Sequence, residues 1–251
     1  GACVVAIVLP WVLSGLARAL LPPSKAFTAD GESRAGGLRA GWVAVIPLTI
    51  ATAFDPMAYV LLGAVVFIAL VWSLAQRAFV RAGRGLVLLV APPVLLLPWT
   101  ARLVAHPSLI VAGVGQVLPG LQDRALAPAD VLLLYPGGPG MPPVWLEAVV
   151  VLAGLAGLLQ LTRPGPARLG WLLALVGLVG GLVVTHVRVR VEGGSAVDVP
   201  GWPGTSTALI GAGLLMAAAV AGARLRARLT AASFGWRQPV ALVMTAAAVA
   251  N

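Results

Sequence analysis

Two carboxylates are the residues of this sequence best suited to acid–base or metal chemistry. Asp55 precedes Pro56 between two apolar runs, and Glu147 lies about one turn into an apolar run that starts near Val144. An ionisable group at membrane depth is by default a functional candidate. Each acid also has a structural interpretation, because Asp before Pro commonly forms a turn or helix cap and an acid stabilises a helix N-terminus. We therefore treat both as candidate catalytic residues and keep both interpretations.

Arginines and histidines form a second candidate site, which would bind a lipid phosphate. They lie in two stretches of the chain: Arg102, His106 and Arg124 in the first, and His186, Arg188 and Arg190 in the second. The arginine guanidinium binds phosphate through paired hydrogen bonds, so the headgroup of a polyprenyl phosphate is a candidate ligand. The alternative is nonspecific contact with bulk lipid phosphates, which is common for such side chains at a membrane surface. The second stretch alternates polar residues with valines, which predicts an extended lip over the membrane face.

Several enzyme classes are excluded by the motifs that this sequence lacks. It has no phosphate-binding loop, dinucleotide fingerprint, H-E-x-x-H helix or G-x-S-x-G elbow, and no Asp-x-Asp pair for a metal-bound sugar nucleotide. Cys3 is the only cysteine, so no disulfide can form within the chain. The two histidines do not stand at metal-ligand spacing. The sequence therefore predicts no metal site and no cofactor in this chain.

The composition is that of a membrane protein. Hydrophobic residues make up 60% of the chain and charged residues 10%, with a mean hydropathy of +0.99, whereas soluble domains carry about 25% charged residues. A bilayer accommodates this surface, because each run of about 20 apolar residues crosses about 30 Å of hydrocarbon. The net charge of +9 comes from short loops between apolar runs. This arrangement favours an effect on insertion orientation and argues against nucleic-acid binding.

The apolar runs predict an all-α, polytopic bundle of seven or eight transmembrane helices and no soluble domain. The predicted spans are residues 2–20, 41–54, 57–75, 86–104, 144–161, 169–187, 208–223 and 240–251. The second span contains Pro47 and is short enough to be tilted or re-entrant. Both ends of the chain fall inside apolar runs, so we expect a fragment truncated at both ends. Glycines inside the helices, including Gly177 and Gly181, predict close helix packing.

Charge predicts the orientation of the bundle. Alternate loops hold thirteen of the seventeen basic residues: Arg18, Lys25, Arg34 and Arg39; Arg77, Arg81 and Arg84; Arg163 and Arg168; and Arg224, Arg226, Arg228 and Arg237. Positive loops stay in the cytoplasm during insertion, so we expect a multi-pass protein of the cell membrane with these loops cytoplasmic. The partition requires the second span to cross the membrane and turn at Asp55. We also expect the stretches 105–143 and 186–190 to converge over Asp55 and Glu147 on the outer face.

Three stretches of this chain resemble the membrane region of large actinobacterial family 2 glycosyltransferases. They are Arg39–Trp42 running to Ala53–Pro56, Tyr135–Trp145, and Ser233–Pro239. The resemblance implies a parent enzyme in which a cytoplasmic sugar-nucleotide domain precedes the spans, and any divalent metal would belong to that domain. It also implies a role in cell-envelope polysaccharide or glycolipid synthesis. The partners would be the bilayer and a polyprenyl-phosphate-linked or envelope glycan acceptor.

Two other functions remain open from the sequence. The first is a transferase that uses a polyprenyl-phosphate sugar and has an extracytoplasmic site with Asp55 or Glu147. The second is a transporter or permease subunit, which would need polar groups at the middle of the membrane, where these runs carry few.

Overall fold

The computed structural model describes residues 2–21, 39–112, 126–135, 144–158, 165–190 and 198–231. These residues form ten helices and one short antiparallel sheet, so the predicted helical class is confirmed. The elements are α1 (Ala2–Leu20), α2 (Arg39–Phe54), α3 (Pro56–Ala75), α4 (Phe79–Leu95), α5 (Leu97–Ala105), α6 (Ser108–Ala112), α7 (Pro128–Leu132), α8 (Val144–Leu158), α9 (Pro166–His186), β1 (Arg188–Arg190), β2 (Asp198–Pro200) and α10 (Gly204–Ala231).

Three of these helices are long and apolar enough to cross a membrane. They are α3, α9 and the part of α10 from Gly204 to Ala223, and α4 with α5 makes a fourth if the two are counted as one span. The remaining apolar segments, Val4–Leu20, Gly41–Phe54 and Glu147–Ala156, are shorter, and a straight span needs about 17–25 residues. The described residues therefore do not support the expected seven or eight spans. The expected span at 240–251 lies outside them.

The expected continuous span at 86–104 is divided into two helices, α4 and α5, which meet at an angle of 87°. Leu96 separates them with φ −103° and ψ 26°, and Pro98 lies in the first turn of α5. Proline has no N–H with which to continue the bonds of the preceding helix, yet it fits a new first turn. The Thr100 hydroxyl donates to the Pro93 carbonyl at 3.0 Å. The chain therefore turns beside a proline. A hydropathy profile does not register this effect of proline on the backbone.

The junction between α2 and α3 is a one-residue break at Asp55. This residue is extended, with φ −151° and ψ 98°, and its carboxylate accepts a hydrogen bond from the Met57 N–H at 3.0 Å. Pro56 follows as the first residue of α3, where its fixed φ suits a helix start. The chain therefore forms two separate helices that meet at Asp55. The Asp-Pro pair predicts this break.

One hydrophobic core joins the N-terminal helices to α9 and α10. Its fully buried side chains include Leu16 of α1, Leu48 of α2, Leu62 of α3, Leu88 of α4 and Leu173 of α9. A smaller cluster surrounds Val131, Ala174, Ile210 and Leu214 and brings α7 against α9 and α10. Because both clusters include α9 and α10, this helix pair is the centre of the packing.

Glycines let α9 and α10 approach each other closely. A Cβ added at Gly170 would stand 2.6 Å from the Gly213 carbonyl oxygen, and one added at Gly213 would stand 2.7 Å from the Ala174 nitrogen. The predicted packing glycine Gly177 would bring a Cβ to 2.9 Å from the Ser206 carbonyl oxygen. Backbones this close leave no room for a methyl group, which is the packing expected of small residues between membrane helices.

Candidate functional site

Asp55 is a buried carboxylate that ties two distant parts of the chain together. It is 5% exposed, and its Oδ2 accepts a hydrogen bond from the Thr205 hydroxyl in the first turn of α10, 150 residues away. Its Oδ1 is the oxygen that accepts the Met57 N–H. Both carboxylate oxygens therefore have donors from this chain. This geometry matches a helix cap that also links helices, and it favours the structural interpretation of the Asp-Pro pair.

The start of α10 adds a polar cluster that the sequence reasoning missed. Thr205, Ser206 and Thr207 are all buried. The Thr207 hydroxyl donates to the Gly204 carbonyl at 2.9 Å, whereas the Ser206 hydroxyl has no hydrogen-bond partner among the described residues. The signal that could have found this cluster is the run of hydroxyl residues directly after Trp202 and Pro203, since such residues are typical of helix starts.

Glu147, the second candidate acid, occupies a different environment. It is 9% exposed in the first turn of α8, where burial is the main influence on its carboxyl group and the charge of the Asp130 carboxylate of α7 is a smaller one. Asp130 itself caps α7, because its Oδ2 accepts the Ala127 N–H at 2.9 Å. Val150 and Val151, one turn further along α8, pack on the Val131 cluster. Glu147 is therefore associated with α7 and Asp55 with the start of α10.

The predicted phosphate-binding residues lie on exposed parts of the structure. Arg102 is in the last turn of α5, His106 follows that helix, His186 ends α9 and Arg188 begins β1, and all four side chains are exposed. The His186 Nδ1 lies 2.7 Å from the Leu182 carbonyl oxygen. Arg124 and the Arg190 side chain lie outside the described residues. The assignment of these residues to a phosphate site stays a prediction.

The two stretches that carry these cations do meet in the fold. Helix α6 contacts β1, and a Cβ added at Gly201 would stand 2.8 Å from the Val111 side chain of α6. β1 has the predicted extended conformation and pairs with β2, so that Arg188 opposes Pro200 and Arg190 opposes Asp198. The partner strand β2 was not predicted, because it has only three residues and ends in Pro200, and a proline counts against a strand.

Tertiary contacts sort the connections between helices into two ends of the bundle. At one end, which we call the Asp55 end, Asp55 meets Thr205 and Val131 packs on Gly181 near the end of α9. At the other, the basic end, Gly41 near the start of α2 lies against Arg84 near the start of α4. Gly41 and Arg84 both belong to stretches that the arginine distribution assigns to one side, and the orientation of the bundle stays a prediction.

No protein-family model, curated protein or solved structure matches this chain.

Proposed function

We propose that this chain is the membrane-embedded portion of a glycosyltransferase that acts in cell-envelope polysaccharide or glycolipid synthesis. In this proposal it is a multi-pass protein of the cell membrane with its basic end in the cytoplasm. The observation that carries the proposal is the hydrogen bond from Thr205 to Asp55. It joins Ala53–Pro56, one of the stretches on which the resemblance depends, to the helix that follows the second predicted outer stretch.

The membrane region would position a lipid-linked acceptor or guide the product across the bilayer. Arg102, His106, His186 and Arg188 are exposed near the elements that form the Asp55 end, and Arg124 and Arg190 are their predicted partners in binding phosphate. Cationic side chains gathered near the headgroup plane would attract the phosphate of a polyprenyl carrier. Sugar transfer itself would take place in the cytoplasmic domain that the resemblance implies.

The proposal is tested with membranes from cells that express the complete reading frame and from cells that lack it. Each preparation receives radiolabelled nucleotide sugars, and the products extracted into organic solvent are separated by chromatography. We expect at least one labelled glycolipid to disappear on deletion and to return on complementation. Identical labelled products in the two membranes would overturn the proposal.

The proposed orientation has its own test. We expect a cysteine at Gly83, in the basic end, to resist impermeant maleimide in intact cells and to react after lysis. A cysteine at Leu132, which is exposed in α7, is the matched control and should react in intact cells. Labelling of the cysteine at Gly83 in intact cells would reverse the orientation.

A second candidate function is favoured by the burial of Glu147 and by its electrostatic interaction with Asp130. Two neighbouring carboxylates at a membrane surface suit general acid–base catalysis, as in a transferase that uses a polyprenyl-phosphate sugar on the outer face. Under this alternative, Glu147→Gln would abolish product formation without changing the amount of folded protein. Under the leading proposal, the same variant would keep its activity.

A further inference from the structure

Helix α5 is placed where a helix can lie flat on a membrane. Helix α4 has 17 residues and rises about 1.5 Å per residue, or about 25 Å in all. Arg81 and Arg84 lie in the first turns of α4, and their long side chains extend back to the headgroups. The helix therefore covers most of a hydrocarbon layer about 30 Å thick by Leu95. The bend of 87° then directs α5 along the far boundary of the hydrocarbon and not through it.

An apolar stripe of α5 is left uncovered by the protein. Leu97, Ala101 and Val104 recur at the spacing of one helix face, and all three are exposed, Leu97 to 62% and Val104 to 75%. The side of α5 that meets the bundle is marked by Leu103, which is 8% exposed. Leu95, which is exposed at the end of α4, continues the stripe onto the preceding helix. The stripe is therefore continuous with the exposed apolar surface of α4.

Arg102 occupies a third side of the same helix. Successive residues turn by about 100°, so Arg102 points about 130° away from the centre of the stripe. Its side chain is exposed, and His106 follows at the end of the helix. A stripe of apolar residues with a cation on another side is the pattern of helices that lie in the membrane interface, with the apolar face about 5–10 Å deep.

We propose that α5 is an interfacial helix that binds the bilayer surface at the Asp55 end. Leu97, Ala101 and Val104 insert among the acyl chains, and Arg102 lies at the level of the lipid phosphates. This inference requires that the chain reside in a bilayer, but it does not require glycosyl transfer.

Site-directed spin labelling tests the proposal with the complete chain in nanodiscs of phosphatidylcholine and phosphatidylglycerol. Cys3, the only cysteine, is replaced by alanine, and single cysteines are placed at Leu97, Ala101, Arg102 and Val104. Collision with oxygen and with a water-soluble nickel chelate gives the depth of each label. A label at Val90, an exposed position in α4, is the control for membrane insertion and should be the deepest.

We expect the labels at 97, 101 and 104 to share one depth, about 5–10 Å below the phosphates, and the label at 102 to be nearer the water. A helix that continues through the bilayer would instead give depths that change by about 10 Å between 97 and 104, which would overturn the proposal. Labels on the stripe that both reagents fail to reach would assign the stripe to a second copy or another protein. Labels that collide with the chelate as often as a label in bulk water does would place α5 in water, and either result would also overturn it. Three stripe positions keep the test decisive if one variant fails to fold.

Discussion

Two helix junctions of this molecule each contain a proline, but they differ in hydrogen bonding and burial. At each, one residue separates two helices and a proline lies in the first turn of the second helix: Asp55 before α3 and Leu96 before α5. Asp55 caps its helix and accepts a hydrogen bond from Thr205, so its junction is buried in the bundle. Leu96 has no side-chain cap bond, and its junction directs α5 away from α4. Proline determines where a helix is interrupted, and the partner of the preceding side chain determines whether the break is locked in place.

Among the variants that test this difference, Asp55→Ala is expected to lose the most stability. The variant loses a helix cap, worth about 1 kcal/mol, and a hydrogen bond to a charged group, worth about 1.5–3 kcal/mol. We expect the free energy of unfolding in detergent to fall by about 3 kcal/mol. Asp130→Ala is the matched control, because that acid also caps a helix but does so through a bond to Ala127 in its own segment. It should lose about 1 kcal/mol. Equal losses in the two variants would show that the bond between Asp55 and Thr205 does not stabilise the junction of α2 and α3.

The same hydrogen bond can be removed from its other partner by Thr205→Val in α10. This nearly isosteric change leaves one Asp55 oxygen without its donor, and we expect a loss of about 1.5–3 kcal/mol. Thr207→Val removes a bond to a neutral carbonyl and should lose about 1 kcal/mol. In the double variant with Asp55→Ala, the Thr205 change should have little additional effect. Fully additive losses would mean that the two residues are not coupled.

The packing that holds α10 beside α9 is tested by Gly170→Ala. The added methyl group would meet the Gly213 carbonyl oxygen at 2.6 Å, and overpacking of this kind costs about 1–3 kcal/mol. Gly222→Ala in the same helix pair meets nothing within 4 Å and is the matched control. Thermal unfolding in detergent should separate the two variants. A Gly170 variant as stable as the Gly222 variant would show that the two backbones have room to move apart.

The smallest loss of stability is expected from Thr100→Val, at the junction of α4 and α5. The variant loses one hydrogen bond to the Pro93 carbonyl, a neutral bond worth about 0.5–1.5 kcal/mol. Its loss of stability should be below that of Thr205→Val in the same assay. If Thr100→Val lowers stability more than Thr205→Val does, the junction at Leu96 is the more strongly stabilised of the two.

The candidate site was predictable only in part, and the reason differs from residue to residue. Asp55 was found because a charge between apolar runs is conspicuous, yet its cap and its bond to Thr205 were not. Thr205 and Ser206 were missed because hydroxyl residues are common in every kind of segment. The bend at Leu96 was missed because hydropathy sums side-chain apolarity and takes no account of the missing N–H of proline.

By itself, the sequence determined the helical class, the break at Asp55 and the extended course of β1. These features depend on residues a few positions apart, through backbone hydrogen bonds, proline geometry and side-chain polarity. Only the tertiary structure decided that Asp55 binds Thr205, that Gly170 packs on Gly213 and that the stripe on α5 stays uncovered. Those outcomes depend on which helix faces meet, and this is set by the packing of all the helices together.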